Sequence, residues 1–445
     1  MRPALPIPRI RRAMPHLFAL FAATLVLQAG QGSETVALIG ARILPVSGPP
    51  IESGILVVDR GVIARVGPLD STPIPAGAEV RDVSGRVIVP GLVDTHSHIG
   101  DPEGGDRSDP IQPSARVLDS IDVLDPSVQR ARAGGVTTVN IMPGSGHLLS
   151  GQTIYLKLRQ GHSIEALAIR NPDGTVAGGI KMANGTNSRR DPPFPGTRAK
   201  SAALVRAKYV AAQEYARKLA DPDPEKRPER DLGLEALVEA LQGKRVVHHH
   251  THRHDDVLTV LRLSKEFGFR VVLHHVSDAW KVADEIARAK VPVSLIVIDS
   301  PGGKLEARDM RWENAKVLVD AGVEVAFHTD DGITDSRLFL RSAALAVRAG
   351  LTSEKALEAL TLAPARMIDL GNRVGSLDVG KDADFVVLDG DPFSVYTHVQ
   401  ETWVEGVKVF DRSDPKDRLI AVGGWGAGSP LAPRCCEGED DEEDR

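Results

Sequence analysis

Histidines stand at the ends of apolar segments, at a spacing that suits metal binding. The apolar run Val87–Asp94 is followed by His96 and His98, two positions apart. Because side chains along a strand alternate between its two faces, both imidazoles would point the same way from one strand end. Two imidazoles about 6–7 Å apart along a strand can bind one divalent cation, each at about 2.0–2.1 Å. The pair is weak evidence by itself, because an HxH pattern often arises by chance.

Three other apolar runs also end in potential ligands. Nine of the fourteen histidines lie at or just past four such ends. Burying so many imidazoles without a metal would leave donors and acceptors unpaired, which is costly. We therefore predict one metal site assembled from four strand ends. Its predicted ligands are His96, His98, His250, His275 and Asp330.

Strand alternation also assigns the other histidines at these ends. His248, His250 and His252 would share one face of their strand, and His249 would lie on the other. His249 and His274 are predicted to face away from the site, as packing or surface residues. His252 is expected to cap the helix that follows its strand.

Between residues 89 and 371, short apolar runs alternate with helical stretches, which predicts repeated βα units. The predicted strands are Val87–Asp94, Thr137–Ile141, either Thr153–Leu158 or Ile164–Ile169, Gly179–Met182, Lys244–His250, Arg270–His275, Val291–Ile298 and Val323–His328. The predicted helices are Thr197–Leu219, Leu232–Gln242, His254–Phe267, Ala279–Ala289, Trp312–Ala321, Ser336–Ala349 and Ser353–Leu360. Units of this number favour an α/β fold with a parallel (β/α)8 TIM barrel, whose active site lies at the C-terminal strand ends. An open doubly wound sheet is disfavoured because no GxGxxG follows any predicted strand.

β-rich segments near both ends of the chain predict a second, smaller sheet. Residues 33–88 and 372–412 each hold short β-rich runs that are too small to fold alone. We therefore predict one small β-sandwich domain built from both segments. Its hairpin turns are expected at Arg60-Gly61 and Glu405-Gly406.

The two extremes of the sequence differ from the rest. Four arginines precede the apolar run Leu17–Leu27, which predicts a signal peptide over residues 1–32 and a periplasmic or secreted protein. Eleven residues span about 16 Å as a helix, short of a bilayer core of roughly 30 Å, so no stable membrane anchor is expected. Residues 413–445 are predicted to be a disordered acidic tail.

Composition excludes several functional classes. The net charge is −6 and no basic patch emerges, which argues against a nucleic-acid partner. The only cysteines, Cys435 and Cys436, are adjacent, so the chain has neither a disulfide framework nor a CxxC metal or redox site. The expected partner is a small-molecule substrate, and a homo-oligomer is compatible with the sequence.

The combined motifs resemble a known superfamily. The sequence PGLVD before His96-Ser97-His98, then His250, His275 and the late Asp330, resembles the amidohydrolase superfamily of metal-dependent hydrolases. Within it, the imidazolonepropionase-like amidohydrolases are the nearest match. The segment Leu377–Leu388 is also typical of the superfamily, where the chain returns from the barrel to the small sheet. The resemblance extends over about residues 35–410 and is specific to the superfamily but not to a substrate.

The resemblance implies a role for each matching position. His96 and His98 match the first-strand metal ligands, and His250 matches the fifth-strand ligand. His275 matches the sixth-strand histidine, which binds a second metal or polarises the substrate carbonyl. Asp330 matches the eighth-strand aspartate, which binds metal and acts as the general base. The metal lowers the pKa of bound water from 15.7 toward about 7, and the carboxylate takes the proton as hydroxide attacks the carbonyl. Zinc is the default cation for such ligands.

Lys181 decides between one cation and two. It stands where several relatives carry a carboxylated lysine that bridges two metals. An uncarboxylated ammonium in a metal site would be repelled, so carboxylation would make Lys181 a ligand. The alternatives are a lysine that binds a substrate carboxylate and a surface lysine. Without a bridging lysine, one metal ion is the expected state.

The resemblance points to hydrolysis of a C–N bond in an amide, a cyclic amide or a dipeptide. Arg253 occupies the position where deaminating relatives carry a glutamate, which argues against deamination. The alternatives are hydrolysis of an ester or lactone in the same site, and a non-catalytic barrel that binds a small ligand. Residues 299–304 are a candidate lid. The arginines that could bind a substrate carboxylate, or could simply be solvated, are Arg189, Arg190, Arg198 and Arg253.

Overall fold

The computed structural model describes residues 35–297 and 304–423. The strands are β1 Val36–Ile43, β2 Ile51–Asp59, β3 Val62–Pro68, β4 Glu79–Asp82, β5 Val87–Pro90, β6 Leu92–Ser97, β7 Val136–Ile141, β8 Leu149–Gln152, β9 Ile154–Lys157, β10 Ile180–Ala183, β11 Val247–Thr251, β12 Val271–His275, β13 Val293–Ile296, β14 Val325–His328, β15 Phe385–Leu388, β16 Val399–Val404 and β17 Val407–Asp411. The α-helices are α1 Pro126–Ala133, α2 Ile164–Leu167, α3 Arg198–Leu219, α4 Leu232–Leu241, α5 His254–Phe267, α6 Ala283–Ala289, α7 Asn314–Asp320, α8 Phe339–Arg348, α9 Ser353–Leu360, α10 Leu362–Met367 and α11 Pro415–Val422. The result is a mixed α/β fold.

Parallel strands carry the residues of interest. Strands β10 to β14 lie side by side in sequence order and are all parallel, and β8 adds an antiparallel edge to β10. Strands β6, β7 and β9 form a separate three-stranded sheet. The two sheets approach each other where the backbone N–H of Asp330, after β14, donates to the carbonyl of His96 at 2.9 Å. The C-terminal ends of β6 and β14 are thereby held together.

The helices between these strands follow the predicted pattern with shifts at some ends. Helix α5 begins at His254 and ends at Phe267, as predicted, because Gly268 adopts a left-handed φ of 79° that ends the helix. Helix α3 begins after Thr197, whose hydroxyl accepts from the backbone N–H of Lys200 at 3.2 Å. Of the two alternatives for the third predicted strand, the first is confirmed, since residues 154–157 form β9 and residues 164–167 form α2.

An eight-stranded sheet combines strands from both ends of the described chain, which confirms the predicted joint sheet. Strand β15 pairs antiparallel with β5, from Phe385 opposite Pro90 to Leu388 opposite Val87. The turns Arg60-Gly61 and Glu405-Gly406 lie where predicted, and both have positive φ at their two residues, as tight two-residue hairpins require.

A buried cluster of charges joins this sheet to β9. The ammonium of Lys157 is fully buried and lies 2.5 Å from Asp384 and 2.8 Å from Asp382, just before β15. Burial raises the pKa of Asp384, while the charge of Lys157 opposes that rise. The backbone N–H of Glu405 donates to the other oxygen of Asp384 at 2.9 Å. The pair therefore ties three separate segments together.

Some predictions about the extremes of the chain fall outside the described residues, and one is corrected. The signal peptide, the tail beyond residue 423 and residues 299–303 lie outside them. Residues 413–423 do not continue a disordered tail, because Asp414 caps helix α11, which packs on the core through Ile420 and Ala421. The described part of the chain falls in one compact unit, so the domain boundaries at residues 88, 371 and 412 stay predictions. Within that part, no helix is long and apolar enough to cross a membrane.

Candidate metal centre

Two histidines and an aspartate that are more than 200 residues apart in the sequence meet in the structure. His96 and His98, on β6 and just after it, place their Nε2 atoms 3.3 Å and 3.0 Å from the same oxygen, Oδ1 of Asp330. His98 also directs its Nδ1 to the carbonyl of Met142 at 2.9 Å. If a metal took the place of the Nε2 contact with Asp330, the Nδ1 contact with Met142 would hold the ring of His98 in position. The predicted convergence of these three residues is therefore observed.

A second group forms around His275. The rings of His250 and His275 lie 4.4 Å apart, and that of His252 lies 4.7 Å from His250 and 5.1 Å from His275. One ligand atom from each lies within 4.8 Å of the others. His275 Nδ1 is 3.9 Å from Asp330 Oδ2, so the two groups are adjacent. All five predicted imidazole and carboxylate ligands thus lie in one cluster.

Lys181 also reaches this cluster. Its side chain is fully buried on β10, and its Nζ lies 3.0 Å from His96 Nε2 and 3.0 Å from the sulfur of Met142. The alternative of a surface lysine is wrong, because the residue is inaccessible to solvent. Carboxylation of Lys181 stays a prediction.

Two ligand candidates were missed in the sequence. His252 was assigned to helix capping, but its ring is buried beside His250 and His275. His328 lies at the end of β14, with Nε2 3.2 Å from His275 Nδ1 and its ring stacked on that of His96 at 4.9 Å. Both could have been found from strand alternation, since His252 is two positions from His250 and His328 two positions from Asp330.

The prediction that His274 faces away from the site was wrong. Its ring is buried and lies 5.1 Å from that of His96 and 5.4 Å from that of His328. His275 has a left-handed φ of 68°, which breaks the alternation of the strand, so both neighbours face the imidazole cluster. His248 contacts His274, with its Nδ1 3.0 Å from His274 Nε2. His249 instead directs its Nδ1 to the carbonyl of His250 at 2.9 Å.

Burial keeps five imidazoles of this cluster neutral. It lowers the pKa of His96, His250 and His275 well below its ordinary value, with further lowering by the charge of neighbouring groups. Burial likewise lowers the pKa of His252 and of His328 to about 3. Neutral imidazoles carry the free lone pair that metal binding needs.

Asp330 is the negative counterpart of these groups. Burial acts to raise its pKa, but the hydrogen bond from His98 and the nearby positive charge, including the ammonium of Lys181, outweigh burial and hold the pKa well below the ordinary range. Asp330 is therefore a carboxylate at neutral pH. Its side chain keeps 17% exposure, whereas that of His96 is inaccessible. Asp330 is thus partly accessible to solvent.

Asp94 positions both His96 and Asp330. One of its oxygens accepts from the backbone N–H groups of His96 at 3.1 Å and Thr329 at 3.2 Å, and the other accepts from the Thr329 hydroxyl at 2.5 Å. Burial raises the pKa of Asp94 to about 7. The residue therefore connects the end of β6 to the residue just before Asp330.

Replacing Asp94 should loosen this connection. Asp94→Ala leaves two backbone N–H groups and one hydroxyl without an acceptor, so we expect a loss of about 1–3 kcal/mol in the free energy of unfolding. Displacement of His96 and Asp330 by about 1 Å should also lower turnover about 10²-fold. Urea unfolding and steady-state kinetics would measure both effects. Asp94→Asn, which keeps one acceptor oxygen, should lose less, and equal losses in the two variants would contradict this role.

The arginines proposed for substrate binding have partners within the protein. Arg253 forms a two-pronged ion pair with Asp255, and Arg198 binds Asp256 at 2.8 Å and Glu306 at 3.4 Å. The other two contact backbone carbonyls, Arg189 that of Gly185 and Arg190 that of Gly146. These contacts favour the interpretation of Arg198 and Arg253 as structural residues.

Comparisons with known proteins identify the family of this chain. A profile described as "Amidohydrolase family" matches residues 228–410. The chain is 30% identical over 393 residues to "Amidohydrolase tasK" of Hapsidospora irregularis. The aligned residues make up 80% of this chain but only 40% of that protein. It is 29% identical to "Imidazolonepropionase" of Deinococcus radiodurans over 371 residues, 76% of this chain and 86% of the relative.

A solved structure also matches the chain. The amidohydrolase from Thermotoga maritima MSB8 superposes with a TM-score of 0.79 and 33% sequence identity, over 85% of this chain and all of that one. Identity at this level over a whole relative, together with the match of the family profile, extends beyond a shared fold. The chain therefore belongs to the amidohydrolase family.

Proposed function

We propose that the protein is a metal-dependent amidohydrolase that cleaves the C–N bond of an amide, a cyclic amide or a dipeptide. The observation that carries this proposal is the cluster of His96, His98, His250, His275 and Asp330, which comes from four strand ends of a chain in the amidohydrolase family. The family description and the relative named imidazolonepropionase favour a C–N bond as the target.

The residues present suit a divalent cation. Several buried imidazole nitrogens have no hydrogen-bond partner among the described residues: His96 Nδ1, both nitrogens of His250, and His275 Nε2. Unpaired buried nitrogens are costly, and a cation bound to imidazole nitrogens and a carboxylate would remove part of that cost. Zinc is the cation we propose, held by the five residues, with Lys181 as an additional ligand if it is carboxylated. A bound cation would supply Lewis acidity and lower the pKa of water at the site.

Asp330 would carry the proton transfers. Its carboxylate is ionised and partly accessible, so it can accept a proton from the attacking water and return it to the leaving nitrogen. His98 lies 3.0 Å from one oxygen of Asp330, and His275 approaches the other, so both oxygens are oriented. The space between Asp330 and His275 is where we place the substrate carbonyl.

We also propose a closed arrangement of the strands. The sheet from β10 to β14 and the sheet of β6, β7 and β9 would complete a (β/α)8 barrel, with the eight-stranded sheet as a small β-sandwich domain. The hydrogen bond from Asp330 to His96 and the contact between Thr329 and Asp94 support closure between β14 and β6. In such a barrel the cluster lies at the C-terminal mouth.

Turnover with and without metal tests this function. The purified protein would be assayed with N-acyl amino acids, dipeptides and hydantoin-like rings, and with esters and lactones for comparison. We expect hydrolysis of at least one C–N substrate, its loss after dialysis against a chelator, and its return with zinc. Faster hydrolysis of esters or lactones would favour the alternative chemistry. Stoichiometric metal without turnover would favour a ligand-binding protein, and turnover that survives metal removal would contradict the proposal.

A further inference from the structure

We propose that a buried chain of hydrogen bonds positions the ring of His275 and leaves only its Nε2 for the metal centre. The chain consists of His328, Ser294 and Thr95. The inference rests on the proposed function, in which His275 contributes to the site. His328 would then act on the reaction through His275 and would not bind the metal itself.

The contacts of the chain are continuous and buried. His275 Nδ1 lies 3.2 Å from His328 Nε2. The other nitrogen of His328, Nδ1, lies 2.8 Å from the hydroxyl of Ser294, which lies 2.7 Å from the hydroxyl of Thr95. None of the four residues is more than 2% exposed, so bulk water does not compete with these contacts. Buried hydroxyls and imidazoles are costly unless they are bonded, and this chain ends on a nitrogen of a predicted site residue.

Alternation along neighbouring strands explains how the chain forms. Strand β13 pairs Ser294 with Ala326 of β14, two positions before His328, so Ser294 and His328 face the same side of the sheet. On its other side β13 pairs with β12, which ends at His275. Thr95 comes from β6, whose end is bonded to the residue after Thr329. The chain therefore crosses from β12 to β6 through β14 and β13.

The protons of the chain can be assigned for a cation bound to His275. Burial keeps both imidazoles neutral, so each ring carries one proton. Nε2 of His275 has no hydrogen-bond partner among the described residues, and binding through Nε2 requires the proton on Nδ1. Nδ1 then donates to His328 Nε2, His328 Nδ1 donates to Ser294, and the Ser294 hydroxyl donates to Thr95. Every link has one donor and one acceptor.

The competing arrangement makes His328 a metal ligand. His328 is close enough to His96 and His275 to share a cation with them. That cation would have to take the place of the contact between His328 Nε2 and His275 Nδ1. It would also leave the buried Nε2 of His275 without a partner, which is costly. The chain avoids that cost, because it uses Nδ1 and leaves Nε2 for the site.

The chain adds an orientation that packing does not supply. His252 stacks on the ring of His275, with centroids 5.1 Å apart and planes at 26°. Stacking restricts the tilt of the ring but permits a flip about its bond to Cβ. A flip would put a carbon where Nδ1 lies and would move Nε2 away from its place, and the contact with His328 opposes it.

Ser294→Ala breaks the chain at its middle and tests the positioning role. We expect kcat to fall about 10–100-fold, the usual effect of losing a residue that orients a metal ligand. Thr138→Val is the matched control, because the hydroxyl of Thr138 is buried without a hydrogen-bond partner among the described residues. This control should keep the wild-type kcat. Circular dichroism would establish that each variant is folded.

Thr95→Val and Thr95→Ser separate positioning from packing. Valine keeps the shape of threonine but removes the hydroxyl, whereas serine keeps the hydroxyl and removes a methyl group. If the chain positions His275, Thr95→Val should lose more turnover than Thr95→Ser. The opposite order would show that Thr95 acts only through packing and would contradict its place in the chain.

Nitrogen NMR of the full chain with isotope-labelled histidine gives a readout that is independent of turnover. In the zinc-bound protein we expect the proton on Nδ1 of both His275 and His328, and loss of this pattern in Ser294→Ala. Zinc bound to a nitrogen of His328 would overturn the inference, as would an unchanged pattern in Ser294→Ala. Either result in an active, zinc-dependent wild type would leave the proposed hydrolase intact. A wild type without turnover would remove the hydrolase, while the NMR pattern would still decide the chain.

Discussion

Asp330→Asn should lower turnover by about 10²–10⁴-fold, the usual contribution of a general acid–base group. An amide has nearly the shape of the carboxylate but cannot accept the proton from water, and it carries no charge for a cation. His98 and His275 would keep their positions on either side of it. We therefore expect loss of the catalytic step with little change in the folded structure. Steady-state kinetics on the best substrate, with a circular dichroism spectrum, would measure this.

His249→Ala is the matched control for Asp330→Asn. His249 is buried on β11 next to the predicted ligand His250, but its Nδ1 contacts the backbone carbonyl of His250. Turnover of this variant should stay within a few-fold of wild type, about the change expected from a side chain that contacts no reacting group. Equal losses in His249→Ala and Asp330→Asn would contradict the assignment of Asp330. His96→Ala should lower turnover as Asp330→Asn does, because it removes a predicted metal ligand.

Lys157→Met should lower the free energy of unfolding by about 3–5 kcal/mol, the range expected when one partner of a buried ion pair is removed. The replacement keeps the length of the side chain but leaves Asp384 buried without its cation. Asp382 retains an ion pair with Arg373 at 2.8 Å, so Asp384 carries most of the loss. Urea unfolding at several pH values would measure it.

The pH dependence of this loss has a definite sign. Burial already raises the pKa of Asp384, and removal of Lys157 should raise it further. A carboxyl whose folded pKa is above its unfolded value loses stability as pH rises above the unfolded value of 3.8. The variant should therefore be close to wild type below about pH 4 and fall behind as pH increases. In the Lys157→Met, Asp384→Asn double variant much of the loss should be recovered, and a loss that is unchanged in it, or constant with pH, would argue against an unpaired carboxylate.

Alternation along strands was enough to predict most of the candidate site. The positions of His96, His98, His250 and Asp330 follow from apolar runs that end in ligands, and the structure brings them together. The same rule failed at His274, because the left-handed backbone of His275 is a local conformation that no periodicity reveals. His252 was misassigned because a polar residue before a helix is also a reasonable cap.

The fold was predictable to a similar extent. The prediction failed where local geometry changes within a regular pattern. Helix α5 was placed correctly at both ends, but α6 begins at Ala283 rather than at Ala279. Residues 279–281 form a tight 3₁₀ turn, which keeps apolar residues at nearly helical spacing. Helix α10 was missed because Pro364 lies within it, and the short strand β8 because it holds few apolar residues.

The pairing of β15 with β5 has a consequence for synthesis. The two strands are separated by roughly 300 residues, so β5 cannot gain this neighbour until most of the polypeptide has left the ribosome. Until then β5 is an open edge that carries Val87, Ile88 and Val89, and such edges recruit strands from other molecules. A nascent chain stalled just before residue 385 should therefore aggregate or require a chaperone, even though every residue of the candidate metal centre has already been made.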